Sequence, residues 1–354
     1  MKELSKVKGY LKDTFSSALF ERYILSKLNH PLIVHLYYSF QDYENLYLVI
    51  DYFPGGDLNH YLHKDINFSE AQIKFFVANI ILSLNYIHKM NIIHRDLKPA
   101  NLAFDSRGYL HLIDFGIAKK IKKGKNILDK TGTLGYFGPE IFLKKPQNFS
   151  SDFFSLGVIC YKLIFHRTPF HGQDDKETKE KVLYKKIKLN EDNIPEGFSS
   201  QICDFINRLL KKNQSHRLGY ENINDIKQHE WLKDVDWDKI ENKTVLSEKI
   251  PFIPSLSDNF YCSNKNCNND ISMDRYDEIL RKINESEIFK NFYFNYITSN
   301  LLPDNKIKDI NHISRIKNPN RSENDKLNND DETNCENNEN NSDINIMKNT
   351  GEVL

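Results

Sequence analysis

The segment 94–101, His-Arg-Asp-Leu-Lys-Pro-Ala-Asn, constrains this chain more than any other stretch. It places an acid (Asp96), a base (Lys98) and an amide (Asn101) within six residues. A second acid, Asp114, follows Asp96 by eighteen residues, directly after a strand-like run. A single His-Arg-Asp would be an ordinary polar turn, but the full set in this order and at this spacing is far too specific to arise by chance.

Regular elements are predicted on both sides of this loop. Ser69 begins a helix, and Gln72 three residues later completes a capping box. Apolar residues then recur at the 3.6-residue period as far as Ile87, which indicates a helix that is at least half buried. After the loop, the runs 102–105 and 109–114 are typical of short strands.

The chain begins strand-rich and continues helical. The runs 33–40 and 46–53, separated by a polar turn, predict a hairpin, and 152–232 has a mostly helical pattern. Beyond about residue 300 the sequence is rich in Asn, Asp and Glu with almost no aromatics. Burial in such a segment cannot offset the entropy of ordering it, so disorder is predicted there. We expect an α+β fold with a small strand-rich lobe before a larger helical lobe.

Composition excludes several classes of protein. The 354 residues are 39% hydrophobic, enough for a core, and 49 basic residues balance 49 acidic ones. A net charge of zero argues against bulk nucleic-acid or polybasic membrane binding. No run of about 18 apolar residues predicts a membrane span. Five scattered cysteines indicate free thiols in a reducing compartment. We expect a cytoplasmic monomer.

The loop, together with Asp114-Phe115-Gly116, resembles the motif pair of eukaryotic protein kinases. The combination of Lys98 and Thr133 resembles the Ser/Thr type. The resemblance implies transfer of the ATP γ-phosphate to Ser or Thr hydroxyls with Mg²⁺. Asp96 would accept the hydroxyl proton and Lys98 would reach the transferred phosphate. Asn101 and Asp114 would hold the metal from opposite sides.

Other positions resemble the structural supports of this family. Gly138-Pro139-Glu140 resembles the Ala-Pro-Glu that ends the activation segment, and Glu140 would pair with Arg217. Asp152 resembles the buried aspartate that caps the catalytic loop from below, where a carboxylate needs hydrogen-bond partners. The resemblance implies that these three side chains hold the site and perform no chemistry.

The nucleotide side is recognisable in part. Glu21 resembles the glutamate of helix C, and the family's spacing places its ion-pair lysine nineteen residues earlier, at Lys2. The resemblance assigns the adenine and ribose contacts to the gatekeeper Ile50, the hinge residues Asp51 and Phe53, the ribose-contacting Asp57, and Ala103 beneath the adenine.

The Gly-rich phosphate loop of the family is missing from this sequence. With Lys2 on the third strand, that loop and two strands would have to precede Met1, and the third strand would have an unpaired edge. A truncated start and a naturally degraded kinase both explain this. The competing function is therefore a non-catalytic pseudokinase that binds partners. A small-molecule kinase of related architecture is a third alternative.

Further motifs resemble the AGC group, which includes the cyclic-nucleotide-dependent kinases. These motifs are Gly55-Gly56-Asp57-Leu58 and the C-terminal Pro251-Phe252-Ile253-Pro254. The resemblance implies that Phe260 reaches the nucleotide and that 289–294 is a hydrophobic motif docking on helix C. An unrelated amphipathic patch remains the alternative for 289–294. The expected divisions are 1–53 for the partial small lobe, 54–232 for the helical lobe, 233–300 for the AGC-like extension and 301–354 for the disordered tail.

Two departures from the group concern regulation and specificity. Counting from Thr133, Asp129 occupies the position of the phosphorylated threonine in the activation segment. Its carboxylate could pair with Arg95 without phosphorylation. Ala100, Gly135 and Lys162 replace the acidic residues that hold substrate arginines in basophilic members, so a weak preference for arginine two residues before the target is predicted.

Overall fold

The computed structural model describes residues 1–122, 126–255 and 272–297, and within them the chain forms eight strands and eleven α-helices. The strands are β1 (Lys2–Ser5), β2 (Leu36–Gln41), β3 (Asn45–Ile50), β4 (Ile92–Ile93), β5 (Leu102–Phe104), β6 (Leu110–Leu112), β7 (Lys119–Lys120) and β8 (Phe294–Asn295). The helices are α1 (Lys6–Leu11), α2 (Phe15–Leu25), α3 (Leu58–His63), α4 (Glu70–Lys89), α5 (Pro139–Phe142), α6 (Ser150–Phe165), α7 (Asp175–Tyr184), α8 (Ser200–Leu209), α9 (Asn224–Lys227), α10 (Trp237–Glu241) and α11 (Met273–Glu285). The predicted α+β fold, strand-rich first and helical afterwards, is confirmed.

The small lobe is built on one antiparallel sheet in the order β1-β3-β2-β8. Its centre is the predicted hairpin of β2 and β3, and Asp42 closes the turn by accepting hydrogen bonds from two backbone N–H groups. The hairpin is shorter than predicted, because Ile33 forms an isolated bridge to Leu112 in the large lobe. Strand β1 pairs only with β3 in the described part of the chain, so its other edge is open.

Helix α4 is the centre of the large lobe. The predicted capping box is present, with the Ser69 side chain accepting from the Gln72 backbone and the Gln72 side chain accepting from the Ser69 backbone. The apolar period predicted for this helix faces the core, where Ile73, Phe76 and Leu84 are completely buried. Burying a side chain of this size contributes about 1.5–3 kcal/mol. The helix packs against β6, α6 and α10, and it thereby supports the loop that follows it.

The segment after residue 271 returns to the small lobe. Helix α11 packs on α1, and β8 extends the sheet by pairing with β2. The ring of Phe292 is completely buried, and its carbonyl accepts hydrogen bonds from Arg22 of α2 and from Ser39 of β2. Residues 289–294 thus dock against α2, as the AGC resemblance implied for them. Phe260 and the tail 301–354 lie outside the described residues.

Two observations concern the chain as a whole. Among the described residues, none of the helices combines the length and apolarity that a bilayer crossing requires. Cys160 and Cys203 are free thiols, and both are buried. Neither thiol is positioned for chemistry, since burial raises the pKa of both.

Candidate active site

The backbone of the catalytic loop is held from below by Asp152 at the start of α6. Its two carboxylate oxygens accept hydrogen bonds from the backbone N–H groups of His94 and Arg95, each at 2.9 Å, and from His88 Nε2 at 2.8 Å. Burial opposes the charge of Asp152, but these donors lower its pKa overall. Arg95 has a φ of 68°, a left-handed conformation that a non-glycine residue adopts only when its surroundings fix it.

Asp96 and Lys98 of the catalytic loop form one cluster with Thr133 of the activation segment. Asp96 Oδ2 lies 2.6 Å from Lys98 Nζ, and Asp96 Oδ1 accepts the Thr133 hydroxyl at 2.7 Å. Lys98 also donates to Thr133 Oγ1 at 2.9 Å. Both loop side chains are half-buried, so they are ordered yet open to a reactant. A substrate hydroxyl in the place of the Thr133 hydroxyl would contact the Asp96 carboxylate, which can accept its proton, and would lie beside the Lys98 ammonium.

Two oxygen donors suited to a hard divalent cation lie next to this cluster. Asn101 uses its Nδ2 to donate to the carbonyl and the carboxylate of Asp96, at 2.8 and 3.0 Å. Its Oδ1 accepts no hydrogen bond from the residues described. Asp114 is 40% exposed, and although burial opposes ionisation, the Lys2 ammonium and the Gly116 N–H lower its pKa. An amide oxygen and an ionised carboxylate fit Mg²⁺, which takes few protein ligands and binds substrate phosphates as well.

Lys2 is fixed by two carboxylates at the junction of the lobes. Its ammonium lies 2.6 Å from Glu21 Oε1 and 3.2 Å from Asp114 Oδ1. Burial alone would lower the pKa of Lys2, but the two carboxylates raise it overall. The lysine is therefore held as a cation beside the candidate metal ligands, where it can meet a phosphate. β1 and α2 supply the two halves of this pair.

The linker between the lobes presents unpaired backbone groups. The carbonyl of Asp51 and the N–H of Phe53 make no hydrogen bond with other described residues, whereas the N–H of Asp51 donates to the His35 carbonyl and the carbonyl of Phe53 accepts from the Gly56 N–H. The Asp51 carboxylate, in contrast, accepts from the His35 backbone and the Tyr37 hydroxyl, both at 2.8 Å. An acceptor and a donor two residues apart match the paired donor and acceptor of an adenine edge.

The remaining predicted nucleotide positions surround this linker. Ile50 is the last residue of β3 and directly precedes the linker. Asp57 caps α3 through its Oδ1, which accepts from the His60 N–H at 2.9 Å, and it bridges in antiparallel fashion to Ala103 of β5. Ala103 is buried and offers only a methyl group. The structure thus joins Asp57 to Ala103, and it brings Lys2 together with Glu21 and Asp114, while Phe260 lies outside the described residues.

Asp129 holds the activation segment in place through contacts with three side chains. Its Oδ2 lies 2.6 Å from Arg95 Nη1 and its Oδ1 lies 2.8 Å from Lys119 Nζ, while the Thr131 hydroxyl donates to Oδ2 at 3.0 Å. Burial opposes the charge, but Lys119 and Arg95 hold the pKa of Asp129 far below its usual range. Sequence reasoning missed Lys119, because only folding shows which of the neighbouring lysines turns toward Asp129.

The predicted pair of Glu140 and Arg217 in the large lobe is a bidentate ion pair. Arg217 Nη1 and Nη2 donate to Glu140 Oε1 and Oε2, at 2.9 and 3.0 Å. Both side chains are almost completely buried. Burial opposes the charge of Glu140, but Arg217 lowers its pKa overall. The Ser151 hydroxyl completes the arrangement with a bond to Glu140 at 2.8 Å.

Comparison with known proteins agrees with this geometry. Residues 1–232 match the family described as protein kinase domain. Serine/threonine-protein kinase sgk-1 of Caenorhabditis elegans is 39% identical over 267 residues, which cover 75% of this chain and 56% of that protein. Human ribosomal protein S6 kinase alpha-6 is 34% identical over 265 residues, which cover 74% of this chain and 34% of that protein. Human ribosomal protein S6 kinase alpha-2 is 35% identical over 259 residues, which cover 72% and 34%.

The chain thus spans about half the length of the first relative and about a third of the other two. A protein kinase domain uses ATP and a divalent metal ion and acts on protein substrates. The match covers the cluster around Asp96, the Lys2 ion pair and the Asp129 contacts. The chain belongs to the eukaryotic protein kinase family, within the AGC group of Ser/Thr kinases.

Proposed function

We propose that this chain transfers the γ-phosphate of ATP to Ser or Thr hydroxyls of protein substrates, with Mg²⁺ as the metal. The single observation that carries the proposal is the cluster in which Asp96 contacts Lys98, Asn101 and Thr133. A loop with a merely structural role would not need a half-buried acid and base beside free metal-ligand oxygens. The pseudokinase alternative rests on the Gly-rich loop, which this sequence lacks, whereas the groups of this cluster are present and in contact with one another.

In this reaction the acceptor hydroxyl would take the place of Thr133 at Asp96. The hydroxyl oxygen forms a bond to the γ-phosphorus, the bond from that phosphorus to the bridging β–γ oxygen breaks, and ADP leaves. Asp96 orients the hydroxyl and accepts its proton. Lys98 is close enough to neutralise charge on the transferred group. Positioning and charge neutralisation provide most of the catalysis in this class of reaction.

The nucleotide would bind between the lobes. Adenine would use the carbonyl of Asp51 and the N–H of Phe53, with Ile50 above and Ala103 below. Asp57 still has a carboxylate oxygen to offer the ribose, and Lys2 would bind a phosphate while Glu21 holds it in place. The metal would be held by Asn101 Oδ1 and Asp114, where it would neutralise phosphate charge when bound.

The activation segment would need no upstream kinase. The Asp129 carboxylate already makes the contacts with Arg95 and Lys119 that a phosphate would make, with less charge and fewer oxygens. Arg95 adjoins Asp96 in the loop, so this ion pair would keep the catalytic acid in position.

We further propose a cytoplasmic monomer that does not bind nucleic acid. The support is the balance of 49 basic and 49 acidic residues, together with the two buried free thiols.

Analysis of the phosphorylated product tests the proposed function. The purified chain is incubated with γ-labelled ATP, Mg²⁺ and a degenerate peptide library, and the labelled amino acids are identified. Label on Ser and Thr is expected, with none on Tyr and none when Mg²⁺ is chelated. Label on Tyr would contradict the Ser/Thr assignment. Absence of label, combined with Mg-ATP binding in a thermal shift, would favour the pseudokinase alternative.

A further inference from the structure

Lys162 lies beside the acceptor side of the proposed active site. It is on α6, and its ammonium is 3.4 Å from the Tyr136 hydroxyl and 3.4 Å from Asn59 Oδ1 on α3. Tyr136 ends the short turn that begins at Thr133, whose hydroxyl donates to Asp96. Burial and the charge of Asp96 both raise the pKa of Tyr136. Lys162 is therefore connected to Asp96 through Tyr136 and the turn at Thr133, so a peptide that enters along this turn would pass near it.

The charge of Lys162 has no partner of opposite sign in the described part of the chain. Its two hydrogen bonds are long, and both acceptors are neutral oxygens. Burial lowers the pKa of Lys162, and no carboxylate counteracts that shift. Taking an ammonium out of water without a counter-charge costs free energy.

Four other half-buried lysines of the chain are held differently. Lys2 and Lys98 each contact a carboxylate at 2.6 Å, and Lys243 contacts Asp105 at 2.9 Å. Lys212 contacts no carboxylate, but it donates a short bond of 2.6 Å to the Val182 carbonyl. Lys162 alone of these five lysines has neither a carboxylate nor a short hydrogen bond.

We propose that Lys162 is a specificity-determining residue that selects substrates with an Asp or Glu close to the phosphorylated Ser or Thr. The inference rests on the proposed function and adds the substrate class: acidic peptides, in place of the weak preference for arginine that the sequence predicted. An incoming carboxylate would give Lys162 the missing counter-charge in a partly desolvated groove, where an ion pair contributes more than at an open surface. Ala100 and Gly135, which lie in the same region, bring no acid that would compete for it.

The reach of a peptide limits where the acidic residue can lie. An extended chain advances about 3.3 Å per residue. Lys162 is one side chain, that of Tyr136, away from the turn at Thr133, so a carboxylate one to three residues from the acceptor can reach it. Reversing the charge of Lys162 should then reverse the preference, since arginine would find a carboxylate in the same place.

Matched peptides provide the test. Each contains one Ser in an alanine context, and Asp, Asn or Arg is placed at each of the three positions on either side. For the intact chain, kcat/KM is expected to be about five- to tenfold higher for the best Asp peptide than for its Asn counterpart. In Lys162→Glu the order of the Asp and Arg peptides should be exchanged, and Lys162→Gln should lose the discrimination. Lys239→Glu, the same reversal at a lysine with a 63% exposed side chain on α10, should keep the wild-type order.

Equal kcat/KM for Asp and Asn peptides in the active wild type would overturn the inference while leaving the proposed function intact. So would a wild-type order that persists in Lys162→Glu. Calorimetric binding of the same peptides, with Ala in place of Ser, needs no catalysis. The Asp peptide should bind about fivefold more weakly to Lys162→Gln than to wild type. Equal binding would overturn the inference even if the chain transferred no phosphate.

Discussion

At the scale of single residues, the proposed activity without phosphorylation depends on the contacts of Asp129. Asp129→Asn keeps the shape but removes the charge that holds Arg95 and Lys119. We expect kcat to fall about tenfold, which corresponds to about 1.4 kcal/mol, because Arg95 is then buried without a counter-charge next to Asp96. The peptide assay measures this, with Asp225→Asn, at an exposed residue of α9, as the control that retains activity. A kcat unchanged in Asp129→Asn would contradict the role of this carboxylate.

The Glu140–Arg217 pair makes a separate prediction about stability. Arg217→Lys keeps the charge but cannot form two parallel bonds from one planar group, so a buried carboxylate loses a donor. We expect the free energy of unfolding to drop by about 3 kcal/mol in a urea titration. Arg281→Lys, at a side chain 70% exposed, should change it by less than about 0.5 kcal/mol. Equal values for the two variants would show that the pair contributes little.

The residues that belong to motifs of fixed spacing could be predicted from the sequence. The loop side chains and the partners of Glu140 and Asp152 were placed by their motifs, and Lys2 was placed by its distance from Glu21. That Lys162 contacts no carboxylate among the described residues could not be predicted in this way. A lysine without a counter-charge is defined by what is absent around it in three dimensions, and the sequence contains many lysines of similar local context.

At the scale of elements, residues 289–294 pack against α2 and stabilise its position. Phe292 is completely buried, and its carbonyl binds Arg22, one residue from Glu21. Phe292→Ala should lower the free energy of unfolding by about 3 kcal/mol and lower kcat as well, because α2 positions the glutamate that holds Lys2.

Tyr293→Ala is the matched control for this segment, because the tyrosine is next in sequence but 64% exposed. It should change neither stability nor kcat appreciably. If Phe292→Ala lost stability but kept its full kcat, the segment would stabilise the small lobe without acting on the site.

Elements defined by local pattern were predictable, and those defined by distant partners were not. Helix α4 showed its cap and its period in the sequence. Helices α1 and α11 were not predicted, and the interface that they share joins residues far apart in sequence: Lys6 donates to Asn284 Oδ1 at 2.8 Å. Strand β8 has only two residues and exists because β2 offers it an edge. Its strand character comes from that pairing rather than from its own composition.

At the scale of the whole molecule, stability should depend on pH through a half-buried lysine, Lys212. Burial, together with the charges of Arg217 and Lys185, lowers the pKa of Lys212 to about 7. In the unfolded chain its pKa is about 10.4, so between these values the unfolded state binds more protons than the folded state. The free energy of unfolding contributed by this group therefore rises with pH through that window. Wild type should gain stability from pH 7 to pH 9, and Lys212→Met should gain less.

Lys239→Met serves as the control for this pH dependence, because that side chain is 63% exposed. Its pH slope in urea unfolding should match the wild-type slope. Identical slopes for Lys212→Met and wild type would show that Lys212 stays charged in the folded protein.

The central claim concerns the complete site: the large lobe and the β1–α2 pair assemble a centre that transfers phosphate, with Asp96 as proton acceptor. The most direct measurement is kcat for γ-phosphate transfer to a Ser peptide by wild type and by Asp96→Asn, alongside Mg-ATP affinity for both. We predict a kcat at least about a hundredfold lower in Asp96→Asn, with Mg-ATP affinity unchanged within about threefold. Equal kcat in the two proteins, or no transfer by wild type that binds Mg-ATP, would contradict the account.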